Sequence, residues 1–191
     1  MNKNFENLEG GISDKIQRGD NINKKDYLPF VSEVEEFNTL MGKEWQNRKS
    51  PYIDPKDADF VVNFTQEELD EMKEAIVKKD IVGILDAVCD LLYVAVGNAT
   101  LVFGLKDKLI PAYDEVQASN LSKVCNTLEE AEGTVKVRSE QQGEPCHYEE
   151  INGKYVVYRT RDMKVMKNIN YFSPNLKQFF TEDEIKNCAS L

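Results

Sequence analysis

The chain has 191 residues, enough for one medium domain with an appendage and a substantial core. Thirty-four Asp and Glu against 24 Lys and Arg leave a net charge of −10, which excludes a general binder of phosphate backbones and with it nucleic acid as a partner. Cys89, Cys125, Cys146 and Cys188 show no CxxC spacing and no histidine cluster, so zinc is not expected and free thiols in a reducing cytoplasm are.

The first ten residues, MNKNFENLEG, contain no apolar run of a secretory signal, which sets the expectation of a soluble, cytoplasmic protein. Residues 1–25 are polar and read as loosely ordered, with Ile12 and Ile16 spaced to begin a short helix. From Pro29 the pattern is helical: Phe30, Val34, Phe37 and Met41 fall at i, i+4, i+7 and i+11, and Gly42 marks the end. Glu33, Glu35, Glu36 and Asn38 occupy its other face. Residues 43–63, with Pro51 and Pro55, read as a connecting loop.

Thr65-Gln66-Glu67-Glu68 has the form of a capping box, which predicts a helix from Thr65 to about Lys79. Leu69, Met72 and Ile76 form its apolar stripe, and Glu67, Glu68 and Glu71 gather along the margin. Carboxylates clustered beside a buried stripe repel one another, and a cation relieves that repulsion. The plainer reading leaves Glu68 as a cap and Glu67 and Glu71 facing water.

After a short break at Lys79-Asp80 comes the most distinctive stretch, Asp80 to Phe103. Asp86, Asp90, Tyr93 and Gly97 stand at i, i+4, i+7 and i+11, with Gly83 one turn earlier, so at ~100° per residue they share one helical face. The surrounding residues are apolar nearly all round, the mark of a helix buried in a core or between subunits. Its strongly apolar part, Leu91–Phe103, falls short of the ~20 residues a bilayer needs, and Asp86 and Asp90 lie just before it, so no membrane partner is expected. Either the two aspartates belong to a structural network of donors, or they hold a metal. Two helices joined so tightly lie antiparallel, which lets Glu67, Glu68 and Glu71 face Asp86 and Asp90. Oxygen ligands without His or Cys suit Mg²⁺, or Mn²⁺ in its place.

Pro111 is placed to open another helix, AYDEVQASNLSKV, in which Asn120 and Lys123 share a face with donors suited to a polyphosphate. Thr127-Leu128-Glu129-Glu130 starts a helix to about Gln142. CHYEEI-NG-KYVVYRT is a hairpin signal around a type I′ turn, with Lys164–Asn168 as a third strand and a last short helix near Thr181. His147 has no metal partner at ligand spacing and reads as a surface or strand residue. The expected architecture is an all-α helical bundle over residues 1–126, with a small α+β appendage at 127–191 that carries the hairpin or three-stranded meander.

Three segments, EExxE at 67–71, DAVCDLLYV at 86–94 and DEVQASNLSK at 114–123, come in an order that resembles the all-α nucleoside triphosphate pyrophosphohydrolases. That superfamily includes MazG, dimeric dUTPases and phosphoribosyl-ATP pyrophosphohydrolase, and the likeness is strongest to phosphoribosyl-ATP pyrophosphohydrolase-like proteins of bacteria and their phages. The resemblance covers roughly residues 29–126, and the VVYR and KVMKNINYF stretches resemble the tail of many such proteins. It implies Mg²⁺-dependent cleavage of a (deoxy)nucleoside triphosphate to the monophosphate and pyrophosphate. It also implies metal ligation by Glu67, Glu68, Glu71 and Asp86, with Asp90 completing or backing the set. Glu68, with Glu71, would orient or deprotonate water; Asn38, Tyr93, Asn120 and Lys123 would meet the substrate. One departure stands out: Gly83 occupies the position of an expected ligand glutamate. Gln117, where relatives often carry His, is a milder change. Alternatives are phosphoribosyl-ATP hydrolysis and a catalytically weak nucleotide-binding or interaction protein. The apolar surface of the long helix predicts a homodimer or homotetramer.

Overall fold

Asp54-Pro55 begins the longest helix among the described residues. In the computed structural model, which describes residues 30–42, 48 and 50–189, the Asp54 carboxylate accepts from the Lys56 amide and Pro55 takes the first helical position. Pro is favoured there because its missing N–H would have no intrahelical partner. The helix runs Pro55–Lys78, so it absorbs residues 55–63 of the expected loop at 43–63. Thr65 is not a cap: its hydroxyl donates to the Val61 carbonyl inside the helix. The capping-box pattern recurs by chance within helices, whereas Asp-Pro preceding a Phe60/Phe64 pair at i, i+4 sets the real start. Residues 1–25, with Ile12 and Ile16, lie outside the described residues.

Two compact units make up the chain, one comprising the described residues up to Asp107 with Asp183–Ala189, the other Lys108–Glu182. The first holds α1 (Phe30–Leu40), α2 (Pro55–Lys78) and α3 (Ile81–Gly97), the last continuing into a π-helical turn, Asn98–Val102. Gly42 follows α1 at φ +66. Lys79, in the left-handed region, ends α2, and Asp80 caps α3 by accepting from the Val82 and Gly83 amides. That two-residue reversal makes α2 and α3 an antiparallel hairpin, as the spacing of the break predicts. Its rungs are Gly83 beside Ala75, Glu68 facing Asp90, and Asn98 reaching Thr65. α1 crosses α3 where Gly97 leaves room for the fully buried Val34.

Burial along the hairpin departs from the sequence pattern. On α2 the buried residue is Ala75, while Leu69 and Ile76 are exposed. On α3 only Ala87, Val94 and Val96 are buried, and Ile81 and Leu85 remain 74% and 64% exposed. Small residues let the two helices approach closely, so the larger apolar side chains are displaced to the outer faces. By length and composition alone Ile81–Val102 would suffice to cross a bilayer, but the acidic row lies along it.

α4 (Lys106–Leu121) starts five residues before Pro111, which lies inside the helix instead of opening it. The second unit continues with α5 (Leu128–Gln142), β1 (Cys146–Ile151), β2 (Lys154–Arg159) and β3 (Lys164–Val165). Thr127 caps α5 by accepting from Glu130, as the sequence predicts, and Gly143 ends it at φ +65. The antiparallel sheet has order β1-β2-β3, with Asn152 and Gly153 both at positive φ in the hairpin turn. Cys125, Ala131, Cys146, Val157 and Met166 form the core of this unit. α6 (Glu182–Ala189) ends the described chain, and all four cysteines are free thiols.

Candidate active site

The acidic row of α3 and the EExxE segment of α2 do face each other. Glu68 is half-buried, and its carboxyl is held above the ordinary glutamate value, first by burial and then by the charges of Asp90, Glu71, Glu67 and Asp86. Every charge acting on it is negative. The antiparallel hairpin thus brings together the five carboxylates that the sequence singles out: Glu68 and Asp90 are half-buried, and Glu67, Glu71 and Asp86 are exposed. The buried setting expected for both aspartates holds only in part, because the outer face of α3 lies open.

Among the described residues no three acidic, His or Cys side chains converge at metal-ligating distance. Like charges on neighbouring helical turns push apart, so this set is gathered in field but not closed in geometry. Its chemistry fits a hard divalent cation: oxygen donors only, mutually repelling, and no Lys or Arg among the groups that act on Glu68.

Gly83 explains itself sterically. A Cβ there would sit 3.0 Å from Asp80 Oδ2 and 3.2 Å from the Ala75 Cβ, so the hairpin closes through the place where a larger side chain would start. For Gly83→Ala we expect a near-neutral urea midpoint, because a helix-propensity gain of ~1 kcal/mol is offset by crowding of similar size. Gly83→Glu adds a like charge beside Asp80 and is expected to lower the midpoint of the metal-free protein. Equal midpoints for the two variants would show that the acidic row exerts no field at this position.

A cavity of about 270 Å³ adjoins the carboxylates, with Glu68 and Asp90 among its lining residues. Phe37, Phe60, Phe64 and Tyr93 supply aromatic walls, and Asn38 and Asn98 contribute carboxamides. Tyr93 meets Phe37 edge to face at 5.8 Å, and its hydroxyl is shifted upward by burial and then by Glu33 and Glu36 of α1. Asn38 donates to the Val34 carbonyl. Thus Asn38 and Tyr93 stand in one cavity with two of the carboxylates. Phe60, Phe64 and Asn98 escaped the sequence reading; the Phe60/Phe64 spacing was the available signal, hidden by the loop assignment.

Asn120 and Lys123 belong to the second unit, at the end of α4. Lys123 Nζ donates to Asn120 Oδ1 at 2.8 Å, so the two side chains act as a pair. The turn that carries them is tied down from several sides. Ser122 bonds the Ser119 carbonyl, Cys125 exchanges both backbone bonds with Tyr155, and the Asn168 amide donates to the Lys123 carbonyl.

No curated protein and no solved structure matches the chain. A family model of phosphoribosyl-ATP pyrophosphohydrolase matches residues 34–120, a span that includes the EExxE segment, the acidic row of α3 and the whole cavity. Over residues 34–120 the chain is thus similar to the phosphoribosyl-ATP pyrophosphohydrolase family, whose domain belongs to the all-α, MazG-like NTP pyrophosphohydrolase superfamily.

Proposed function

We propose that the protein hydrolyses a (deoxy)nucleoside triphosphate between its α- and β-phosphates, giving the monophosphate and pyrophosphate. The observation that carries this is Glu68, placed among four further carboxylates inside the matched domain and beside an aromatic cavity. Glu67, Glu68, Glu71, Asp86 and Asp90 would hold Mg²⁺, or Mn²⁺. When bound, the ion neutralises charge developing on the phosphates and acidifies water. The remaining work belongs to the chain. Glu68, whose proton affinity is raised, accepts a proton from the attacking water at its carboxylate, and Glu71 orients it. Tyr93 and Asn38 line the substrate cavity. Asn120 and Lys123 are read as phosphate contacts, a Lys point charge paired with an amide.

Phosphoribosyl-ATP is the second substrate to consider, because the matched family acts on it by name. The crowding at Gly83 keeps a weakly catalytic nucleotide-binding protein as the contrasting reading. Pyrophosphate release from a panel of NTPs, dNTPs and phosphoribosyl-ATP, with Mg²⁺ or Mn²⁺, decides among the three. Release from dNTPs or NTPs is the expected result; nucleotide binding with no release at saturating metal would favour the binding protein.

We read the protein as soluble and cytoplasmic, and as a homodimer or homotetramer. Ile81, Leu85, Val88 and Leu92 recur at i, i+4, i+7 and i+11 on α3 and are all exposed, an uncharged stripe complementary to its own copy. Leu85→Glu combined with Leu92→Glu is expected to convert the assembly to monomers in light scattering. A wild-type monomer at micromolar concentration would overturn the assembly.

A further inference from the structure

Asn98 is 8% exposed and lines the cavity of the first unit, yet its side chain has a single partner among the described residues, Thr65 Oγ1 at 3.5 Å. That separation is at the outer limit of a hydrogen bond. Its Oδ1 accepts nothing from the described residues. That oxygen is not sealed from solvent, so it is open to a donor from a ligand that enters the cavity.

The backbone that presents Asn98 is unusual and firmly held. α3 widens into the π-helical turn at this residue, with the Phe103 amide donating to the Asn98 carbonyl. Arg48 then donates to the Val102 carbonyl at 2.7 Å, bridges to Asp57 and lies over the Tyr52 ring. Tyr52 donates its amide to the Phe103 carbonyl, and Gly104 turns at φ +64 where a Cβ would run into the Ser50 carbonyl. π-helical turns inside α-helices concentrate at functional sites because they redirect one side chain.

We propose that this cavity binds the nucleobase of the substrate, with Asn98 as the residue that reads the base edge. This rests on the reading of the chain as a nucleotide pyrophosphohydrolase and adds the recognition of the substrate's far end. A nucleobase has two apolar faces and a polar edge, and the cavity has the matching pair of features. Phe60 and Phe64 stack at 5.6 Å and 25°, Phe37 stands edge-on to Tyr93, and all three Phe side chains keep exposed surface. A carboxamide offers a donor and an acceptor side by side, the complement of a base edge. A purely apolar ligand would leave Asn98 unmet. At about 270 Å³ the cavity lies just under the ~300–1,000 Å³ range of ordinary ligand pockets, suited to a base rather than a whole nucleotide. Glu68 and Asp90 also line it, so a base held by Asn98 would set the phosphates toward the acidic row.

The test uses nucleoside 5′-monophosphates without divalent cation, titrated into the full chain and followed by NMR, with pyrophosphate release measured separately. Shift changes are expected at Asn98, Phe64 and Tyr93, with one base preferred. Phe64→Ala, at an exposed position, should weaken every monophosphate about tenfold without reordering them. Asn98→Leu should weaken the preferred one about tenfold and flatten the ranking. Wild-type affinity and ranking in folded Asn98→Leu would overturn the proposal; should that variant fail to fold, unchanged affinities in Phe64→Ala would overturn it instead. Binding at the cavity with no pyrophosphate release from triphosphates upholds the pocket and removes the hydrolase reading. Release without shifts at the cavity does the reverse.

Discussion

Glu68→Gln is expected to abolish pyrophosphate release, by a factor of about 100 to 10,000 for the loss of a base alone, while making the metal-free protein more stable. The two halves have one cause. Glu68 has its carboxyl raised by burial and by four neighbouring acids, so the folded state holds its proton more tightly than the unfolded chain. A raised acid favours the fold at low pH, and that contribution is lost as pH climbs through the raised value. At neutral pH the ionised side chain therefore works against folding, and an uncharged amide of the same shape removes the penalty. Mg²⁺ should raise the melting temperature of the wild type and have little effect on Glu68→Gln, since a ligand stabilises in proportion to its binding of the folded state. The readouts are pyrophosphate release and thermal melts from pH 4 to 8, with and without Mg²⁺. Wild-type turnover would remove Glu68 from the chemistry. A variant less stable than wild type at neutral pH would mean that the carboxylate is satisfied by donors after all.

That these acidic side chains face one another was legible because it depends on spacing within helices and on a two-residue reversal between them. EExxE fixes Glu67, Glu68 and Glu71 on one side of α2, and Asp86, Asp90 and Tyr93 fall in line on α3 whatever the rest of the chain does. The break at Lys79-Asp80 then leaves antiparallel packing as the available arrangement. The hairpin turn at Asn152-Gly153 was legible for the same reason, since both residues must adopt positive φ and the sequence supplies the pair that does so readily. What escaped was set by contacts distant in sequence. Thr65 has the chemistry of a cap, but a helix already nucleated at Asp54 passes through it. Which apolar face of α3 is covered depends on Ala75 and Gly83 approaching closely, and hydropathy cannot see this. Asn98 reads as one more residue of an apolar run. Its redirection comes from a π-helical turn clamped by Arg48, which lies 54 positions away from the Val102 carbonyl it holds.

Asn168→Ala is expected to destabilise the second unit by at least about 2 kcal/mol, because each buried polar group left without a partner costs about 1–3 kcal/mol. Asn168 is 3% exposed and saturated: Nδ2 donates to the Val124 carbonyl and to Glu130, and Oδ1 accepts from the Asn170 amide and from Thr134. Removing the carboxamide orphans the Val124 carbonyl and the Asn170 amide beside a Thr134 that is itself fully buried. The consequence should extend to the Asn120–Lys123 pair, since the Asn168 backbone also holds the Lys123 carbonyl. Faster hydrogen exchange at Val124 and Cys125 and a raised KM for nucleotide are therefore expected together. Asn168→Asp gives the electrostatic control. In the wild type Glu130 lies below its ordinary value, chiefly through the Asn126 amide and then through Asn168 and Asn170, so its contribution persists at neutral pH and is lost as pH falls through that lowered value. An aspartate at 168 sets a like charge against Glu130 and reverses the sign, so that this variant should regain stability on acidification where the wild type loses it. Parallel pH profiles for the two proteins, with unchanged exchange at Val124, would show that Asn168 only fills space.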